Sequence, residues 1–481
     1  MQYLFFKMET YANVLLIALP SFMVLILIEI FYGLWRKNLT YNLMDTISSL
    51  SAGTTNMIKD LLGIGFIIIS YPYILDTIAL IQLEESVLLY LIALVCMDFA
   101  SYWNHRLNHS INIFWNRHVV HHSSEEFNLA CALRQSISKN IIGLYLIALV
   151  CMDFASYWNH RLNHSINIFW NRHVVHHSSE EFNLACALRQ SISKNIIGFG
   201  ALFLIPAALF GVPPKIIIVL APLHLFGQFW YHTRHIGKLG WLEYIFVTPS
   251  QHRVHHAINK EYVDKNLSAI FCVWDRLFGT FQEELAEVPC VYGTLKPVQT
   301  WNPIIINFQH NWGLAKDAWR AKNWGDKFKL WFMPTGWRPK DVADRFPISA
   351  IENIYALEKY APKYSTLHKI IAVFQFVCLN IFIYVFLSSF GDLSVGSQLI
   401  FGLLISTTIF GFTSIMDGHK WAFFFEISRS FLGLLFLLYP FKLTLWEINF
   451  PLAVFTTTYF IATLLTTFLM YQSPPERSIS F

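Results

Sequence analysis

Apolar residues gather in this chain into runs of about twenty, near 12–33, 61–80, 86–104, 141–158, 196–212, 214–231, 368–390, 397–415, 421–440 and 450–471, the run at 61–80 being interrupted by Pro72. A helix of that length crosses a hydrocarbon core of roughly 30 Å. The first run is long, only Lys7 precedes it as a basic residue, and no small-residue cleavage site follows, so it reads as a retained helix and not as a signal peptide. The pattern predicts an all-α fold, a multi-pass transmembrane helical bundle. It divides into N-terminal spans over 1–85, a histidine-rich region over 86–290, a Trp-rich and basic segment over 291–365, and C-terminal spans over 366–481.

Composition agrees with a bilayer protein. Of 481 residues 55% are hydrophobic and only 14% charged, where a soluble domain carries roughly a quarter charged residues. A net charge of +4 is small for this length and gives no reason to expect nucleic acid as a partner. The seven cysteines form no CxxC, and Cys96, Cys131, Cys151 and Cys186 sit in or beside apolar runs, so they read as packing residues and not as a disulfide framework.

Residues 89–143 recur letter for letter as 144–198. Solenoid repeats diverge between copies and need at least three units to build a core, so two identical copies are not a repeat architecture. Deleting either copy leaves the same chain, with one HRLNH and one HVVHH. The duplication is either a recent event or a gene-model artefact.

Nineteen histidines are many for a bilayer protein, and their spacing narrows the chemistry. His160 and His164 lie one turn apart on one helix face. His173, His176 and His177 form an HxxHH cluster, His252, His255 and His256 form a second in TPSQHRVHH, and His232 closes the run ending QFWYH. Neutral imidazole is a ligand for Zn, Cu, Fe and Ni. Nine histidines exceed what one tetrahedral ion uses, which implies two metals. No HExxH protease motif and no Glu-x-x-His pairs of a carboxylate di-iron site are present, and clusters at helix ends do not suit a haem. An all-histidine, two-metal site at a membrane face remains.

The segments HRLNH, HVVHHSSEEFN, ALRQS, QFWYHT, IGKLGWLEYIFVTPSQHRVHHAINKEYVDKN and WDRLFGTF resemble the membrane fatty acid hydroxylase and sterol desaturase superfamily. Through YGTLKPVQTWNP and FMPTGWRP they are most similar to its glyceryl-ether-cleaving alkylglycerol branch, over roughly 86–345. The resemblance implies two iron ions held by His160, His164, His173, His176, His177, His232, His252, His255 and His256. It further implies O2 as oxidant, a lipid substrate oxidised at an unactivated C–H bond, a site on the cytoplasmic face, and an external electron donor, tetrahydropterin in that branch. Sterol or fatty acyl desaturation or hydroxylation uses the same boxes and stays open. So does a membrane protein inactivated, or loaded with zinc, because of the duplication.

Two further residues are assigned to the catalytic machinery as partners of the histidines. Asp153 lies two turns before His160 on the same helix face, and an ionisable group inside a span is a functional candidate. Gln228 stands four before His232. Glu180 and Glu181 are candidates for the same role, His224 reads as packing, and His235 has no assigned role. Residues 312–345 carry Trp312, Trp319, Trp324, Trp331 and Trp337 with eight Lys or Arg against four Asp, a mixture that suits the membrane interface. Glu426 and Arg429 read as an intramembrane pair.

The duplicate histidines His105, His109, His118, His121 and His122 are expected not to join the site. Two runs, 196–212 and 214–231, separate the second set from the third box, so those histidines share a face. The run 141–158 adds one more crossing for the first set and places it across the bilayer.

Overall fold

The computed structural model describes residues 2–62, 66–67, 139–192, 197–198, 203–209, 220–221, 224–348, 351, 353–438 and 450–472. The first copy of the duplication, the expected spans 61–80 and 86–104, and the duplicate histidines fall almost entirely outside them. The described structure is helical. Its only ladder among the described residues is a two-residue parallel pairing of Phe66–Ile67 with Ile197–Gly198.

Helices α1 (Gln2–Trp35) and α2 (Leu43–Leu61) open the chain. The Asn42 side chain accepts from Met44 and Asp45 N–H and so starts α2, satisfying backbone donors that have no partner in a helix's first turn. Helix α3 (Lys139–Ser165) runs from the second copy's apolar stretch through its HRLNH. Short helices α4 (Val174–His177), α5 (Leu184–Ala187) and α6 (Pro249–His256) carry the later boxes. Then come α7 (Pro303–Arg320), α8 (Trp324–Lys329), α9 (Thr366–Ser388), α10 (Val395–Met416), α11 (Lys420–Leu438) and α12 (Phe450–Gln472).

Four stretches among the described residues are long and apolar enough to cross a membrane: Ala12–Trp35, Thr366–Ser388, Val395–Met416 and Pro451–Gln472. The chain is an integral membrane protein. Two expected spans look different where they are described. Among the described residues of 196–212 the α-helical part is Ile205–Leu209, with Pro206 in its first turn, where a missing N–H costs nothing. In 214–231 residues 224–226 are helical and 227–231 form turns.

The chain divides into two compact units. One comprises 1–67, 159–198 and 228–481, and holds all nine histidines assigned to metal. Its apolar core joins Ile47 and Leu61 of α2 to Leu379, Phe382 and Phe386 of α9 and Ile405 and Ile409 of α10. Within α11, Glu426 and Arg429 form a buried ion pair of 2.6 Å, and Arg429 also donates to Tyr459 and Thr408. A Cβ on Gly411 of α10 would collide with the Glu426 carboxylate, so the pair fits only against glycine. The other unit comprises 68–158 and 199–227. Its described core gathers Cys151 and Met152 of α3 with Ala207 and Leu220.

Candidate metal centre

Helix α3 brings His160 and His164 to its last turns one above the other, with ring centroids 5.1 Å apart. Helix α4 and its cap present His173, His176 and His177, and α6 presents His252, His255 and His256 at i, i+3 and i+4. Together with His232 they fall into two groups whose ring nitrogens lie within metal-sharing distance. His160, His164, His173, His177 and His255 form one, and His176, His232, His252 and His256 the other. The spacing of the boxes explains this interleaving. Neighbours at i and i+1 point to different sides of a helix, so His176 and His177, like His255 and His256, divide between the two groups.

The hydrogen bonds set the ring tautomers. Nδ1 of His160 donates to Leu267 O at 2.8 Å, that of His255 to Lys265 O at 3.0 Å, that of His176 to Arg189 O at 3.2 Å, and that of His232 to Gln228 O at 2.9 Å. His164 Nδ1 lies 3.2 Å from Asp264 Oδ1. A carbonyl can only accept, so Nδ1 carries the proton and Nε2 keeps a lone pair turned inward. Those nitrogens converge: His160 Nε2 is 2.7 Å from His173 Nε2, His177 Nε2 3.0 Å from the same atom, and His252 Nε2 2.9 Å from His232 Nε2. Nε2 of His164 and of His255 is buried without a partner among the described residues. Buried, unpartnered, convergent imidazole lone pairs fit a pair of metal cations, and ligating histidines hold their second N–H on a carbonyl or carboxylate in this way.

Burial, with repulsion between neighbouring rings, pushes His160, His173, His177, His252 and His256 well below the ordinary histidine pKa. Burial and the neighbouring His164 do the same for His255, and burial takes His232 down to about 3. All seven are therefore neutral, the ligand form, at physiological pH.

Much of what holds these rings was not singled out in the sequence. Asp264 and Asn266 adopt left-handed backbone conformations, φ 58° and 51°, which Asp and Asn tolerate better than most residues. The resulting bend lets one loop present the Asp264 carboxylate, Lys265 O and Leu267 O to three histidines. Asn266 is pinned by bonds to Gln251 O and to Gln282 O and N. Asp275, from the WDRLFGTF segment, accepts from the N–H groups of Leu267 and Ser268. Behind the other group, Arg189 of ALRQS is 1% exposed. It pairs with Asp45 of α2 at 2.8 Å and donates to Ser49 and Ser178.

The remaining sequence candidates are placed as follows. Asp153 Oδ1 lies 3.0 Å from Nε2 of His224, the residue read as packing. Gln228 holds His232 through its backbone carbonyl. Glu180 accepts from Tyr360 N, and Glu181 pairs with Lys359. His235 packs edge-on against Tyr32.

A cavity of ≈ 290 Å3 opens beside the five-histidine group, walled by His164, His177, His255 and His256 and by Trp170 and Ile258 among others. It puts a largely apolar volume next to the five-histidine group.

The family model described as fatty acid hydroxylase matches residues 90–150, and again 145–280. The matched residues include all nine histidines of the two groups, so the chain is similar to the fatty acid hydroxylase family where the candidate site lies. Among curated proteins it is 35% identical to the human alkylglycerol monooxygenase over 295 residues, 60% of this chain and 64% of that protein. It is 40% identical to the Xenopus tropicalis alkylglycerol monooxygenase over 188 residues, 39% and 41% of the two chains. The ornithine lipid hydroxylase of Rhizobium tropici is 29% identical over 136 residues, 28% and 41%. The chain thus spans less than two thirds of the length of these curated relatives. No solved structure matches it.

Proposed function

We propose that this protein is a membrane di-iron monooxygenase that uses O2 to hydroxylate a lipid alkyl chain, with an alkylglycerol ether as substrate. The observation that carries the reading is the convergence of nine histidines into two groups beside an apolar cavity. Two irons held by these groups would supply the oxidising power for a C–H bond that side chains alone cannot attack. The chain's own residues do the rest. The carbonyls of Leu267, Lys265, Arg189 and Gln228 fix the imidazoles, and Trp170, Val174 and Ile258 wall the alkyl chain from water. Oxidation at the carbon beside an ether oxygen gives a hemiacetal, which breaks down to an aldehyde and the free glycerol hydroxyl. An external reductant, a tetrahydropterin by the resemblance to the alkylglycerol branch, supplies the electrons.

The second copy of the duplication builds the site. Its histidines meet those of the third box, and the longer family match runs without a break through 145–280. The proposed side is the cytoplasmic one: Thr335 and Gly336, within the basic 312–345 segment, line the cavity, and segments rich in Lys and Arg favour that side. Exposed Trp312, Trp319 and Trp324 on and after α7 make that segment interfacial.

The test is metal analysis of purified protein together with turnover of a labelled alkylglycerol under isotope-labelled O2. Two irons per chain and one heavy oxygen in the aldehyde are expected. Absence of metal, or an unlabelled aldehyde, would refute the reading, and a double bond in place of oxygen insertion would make the protein a desaturase.

A further inference from the structure

The cavity beside the five-histidine group has a polar wall that the metal site does not use. It is formed by α7 and the segment before it, where Gln309, His310 and Lys296 line the same space as His164 and His255. The Gln309 Oε1 is buried and has no hydrogen-bond partner among the described residues. His310 donates from Nε2 to Asn167 O at 2.8 Å, which leaves Nδ1 as an acceptor. Burial brings its pKa down to about 4, so the ring stays neutral. The ammonium of Lys296, at the exposed end of the cavity, can only donate.

A buried amide oxygen without a partner is costly, on the order of 1–3 kcal/mol, and such a group in a native structure calls for a ligand or a bound water. The two acceptors decide between head groups. A carboxylate or phosphate accepts only, and would set its lone pairs against Gln309 Oε1 and His310 Nδ1. A quaternary ammonium carries no donor and would face Lys296. A hydroxyl both donates and accepts. Adjacent hydroxyls can give protons to Gln309 and His310 and receive one from Lys296.

We propose that Gln309 and His310, with Lys296 at the mouth, form a head-group subsite that selects neutral hydroxylated lipids and so sets which carbon of the chain reaches the histidine centre. This rests on the cavity being the substrate site of a lipid oxygenase, as argued above. Both α7 residues determine specificity; neither holds a metal.

The experiment is equilibrium binding of long-chain probes to the purified, metal-loaded full chain, which requires no turnover. The probes are a sixteen-carbon vicinal diol, the matching primary alcohol and the matching fatty acid. The diol should bind more tightly than the acid by roughly tenfold or more, the equivalent of about one hydrogen bond to a buried group. Gln309→Leu should remove about that factor for the diol and leave acid binding and metal content unchanged. His310→Phe should do the same, and because it also breaks the bond to Asn167, Gln309→Leu carries the decision if it folds poorly. Equal binding of diol and acid, or wild-type diol affinity in Gln309→Leu, would overturn the subsite. If diol binding depends on Gln309 while no lipid is oxidised, the subsite stands and the oxygenase reading fails.

Discussion

The two histidine groups differ in what surrounds them. His164, His177 and His255, three of the five in the larger group, reach the cavity wall, and three of its rings are held by the single loop Asp264–Leu267. Of the four-histidine group only His256 touches the cavity. Phe182, fully buried, stacks at 5.8 Å on His232, and Tyr231 lies 4.2 Å from His252. This group is braced by the carbonyls of Arg189 and Gln228, from separate segments. One group therefore faces the cavity and the other sits behind it in a closed setting. The same ligand type is given two roles by access and by what holds it.

The most severe way to break the contrast is to delete ligands. His255→Ala and His232→Ala should each lower metal affinity by well over 100-fold at the group concerned, beyond the roughly 10–100-fold seen for loss of a residue that merely orients a ligand. If the groups differ as described, the His232 variant retains iron in the cavity-facing group, and metal titration should find one ion per chain. Two ions in both variants would remove the assignment. Paired substitution extends the test to the duplication: His176 with His177 should abolish metal binding, whereas His121 with His122 should leave it intact.

The supports come next. Arg189→Met leaves Asp45 as a buried carboxylate without its cation, which costs about 3–5 kcal/mol and should appear as a lower melting temperature together with weaker metal binding at the four-histidine group. Asn266→Ala removes three hydrogen bonds and strains a left-handed residue. It should weaken metal binding at the five-histidine group by roughly 10–100-fold and spare the other. Asn266→Gly, which tolerates the φ, should fall between. Equal effects of Arg189→Met and Asn266→Ala on both groups would show that the supports are not separate.

The smallest effect is on acidification. Six of these histidines have folded pKa values well below the ordinary value near 6.5 and His232 lies at about 3. Below about 6.5 the unfolded chain takes up protons that the folded site refuses, so stability falls as pH drops from there toward the folded values. Chelator-treated protein should melt at a lower temperature at pH ~5.5 than at pH ~7.5. Cavity-facing rings that gain water without metal would soften the slope, and a reversed slope would mean that the rings are already protonated in the folded state.

The membrane class, four of the expected spans and the nine histidines that come together were legible in the sequence, because bilayer thickness and metal chemistry both act on local patterns: run length in one case, His spacing in the other. Asp153 was singled out by spacing alone, and spacing cannot show that its carboxylate meets His224. The supporting loop was not legible. Nothing in VDKN signals that two left-handed residues turn three oxygens onto three rings, since those rings lie more than eighty residues away for His160 and His164 and within fourteen for His255.

The sequence by itself therefore determined that the chain lives in a bilayer and carries two metals' worth of imidazole. Only the tertiary structure decided how nine rings divide five and four, which group meets the cavity, and which backbone carbonyls fix their tautomers. Spacing within a helix dictates which side a residue faces, but sharing a metal requires nitrogens from three separate segments to meet within a few ångströms. That depends on packing among segments, which no local pattern encodes.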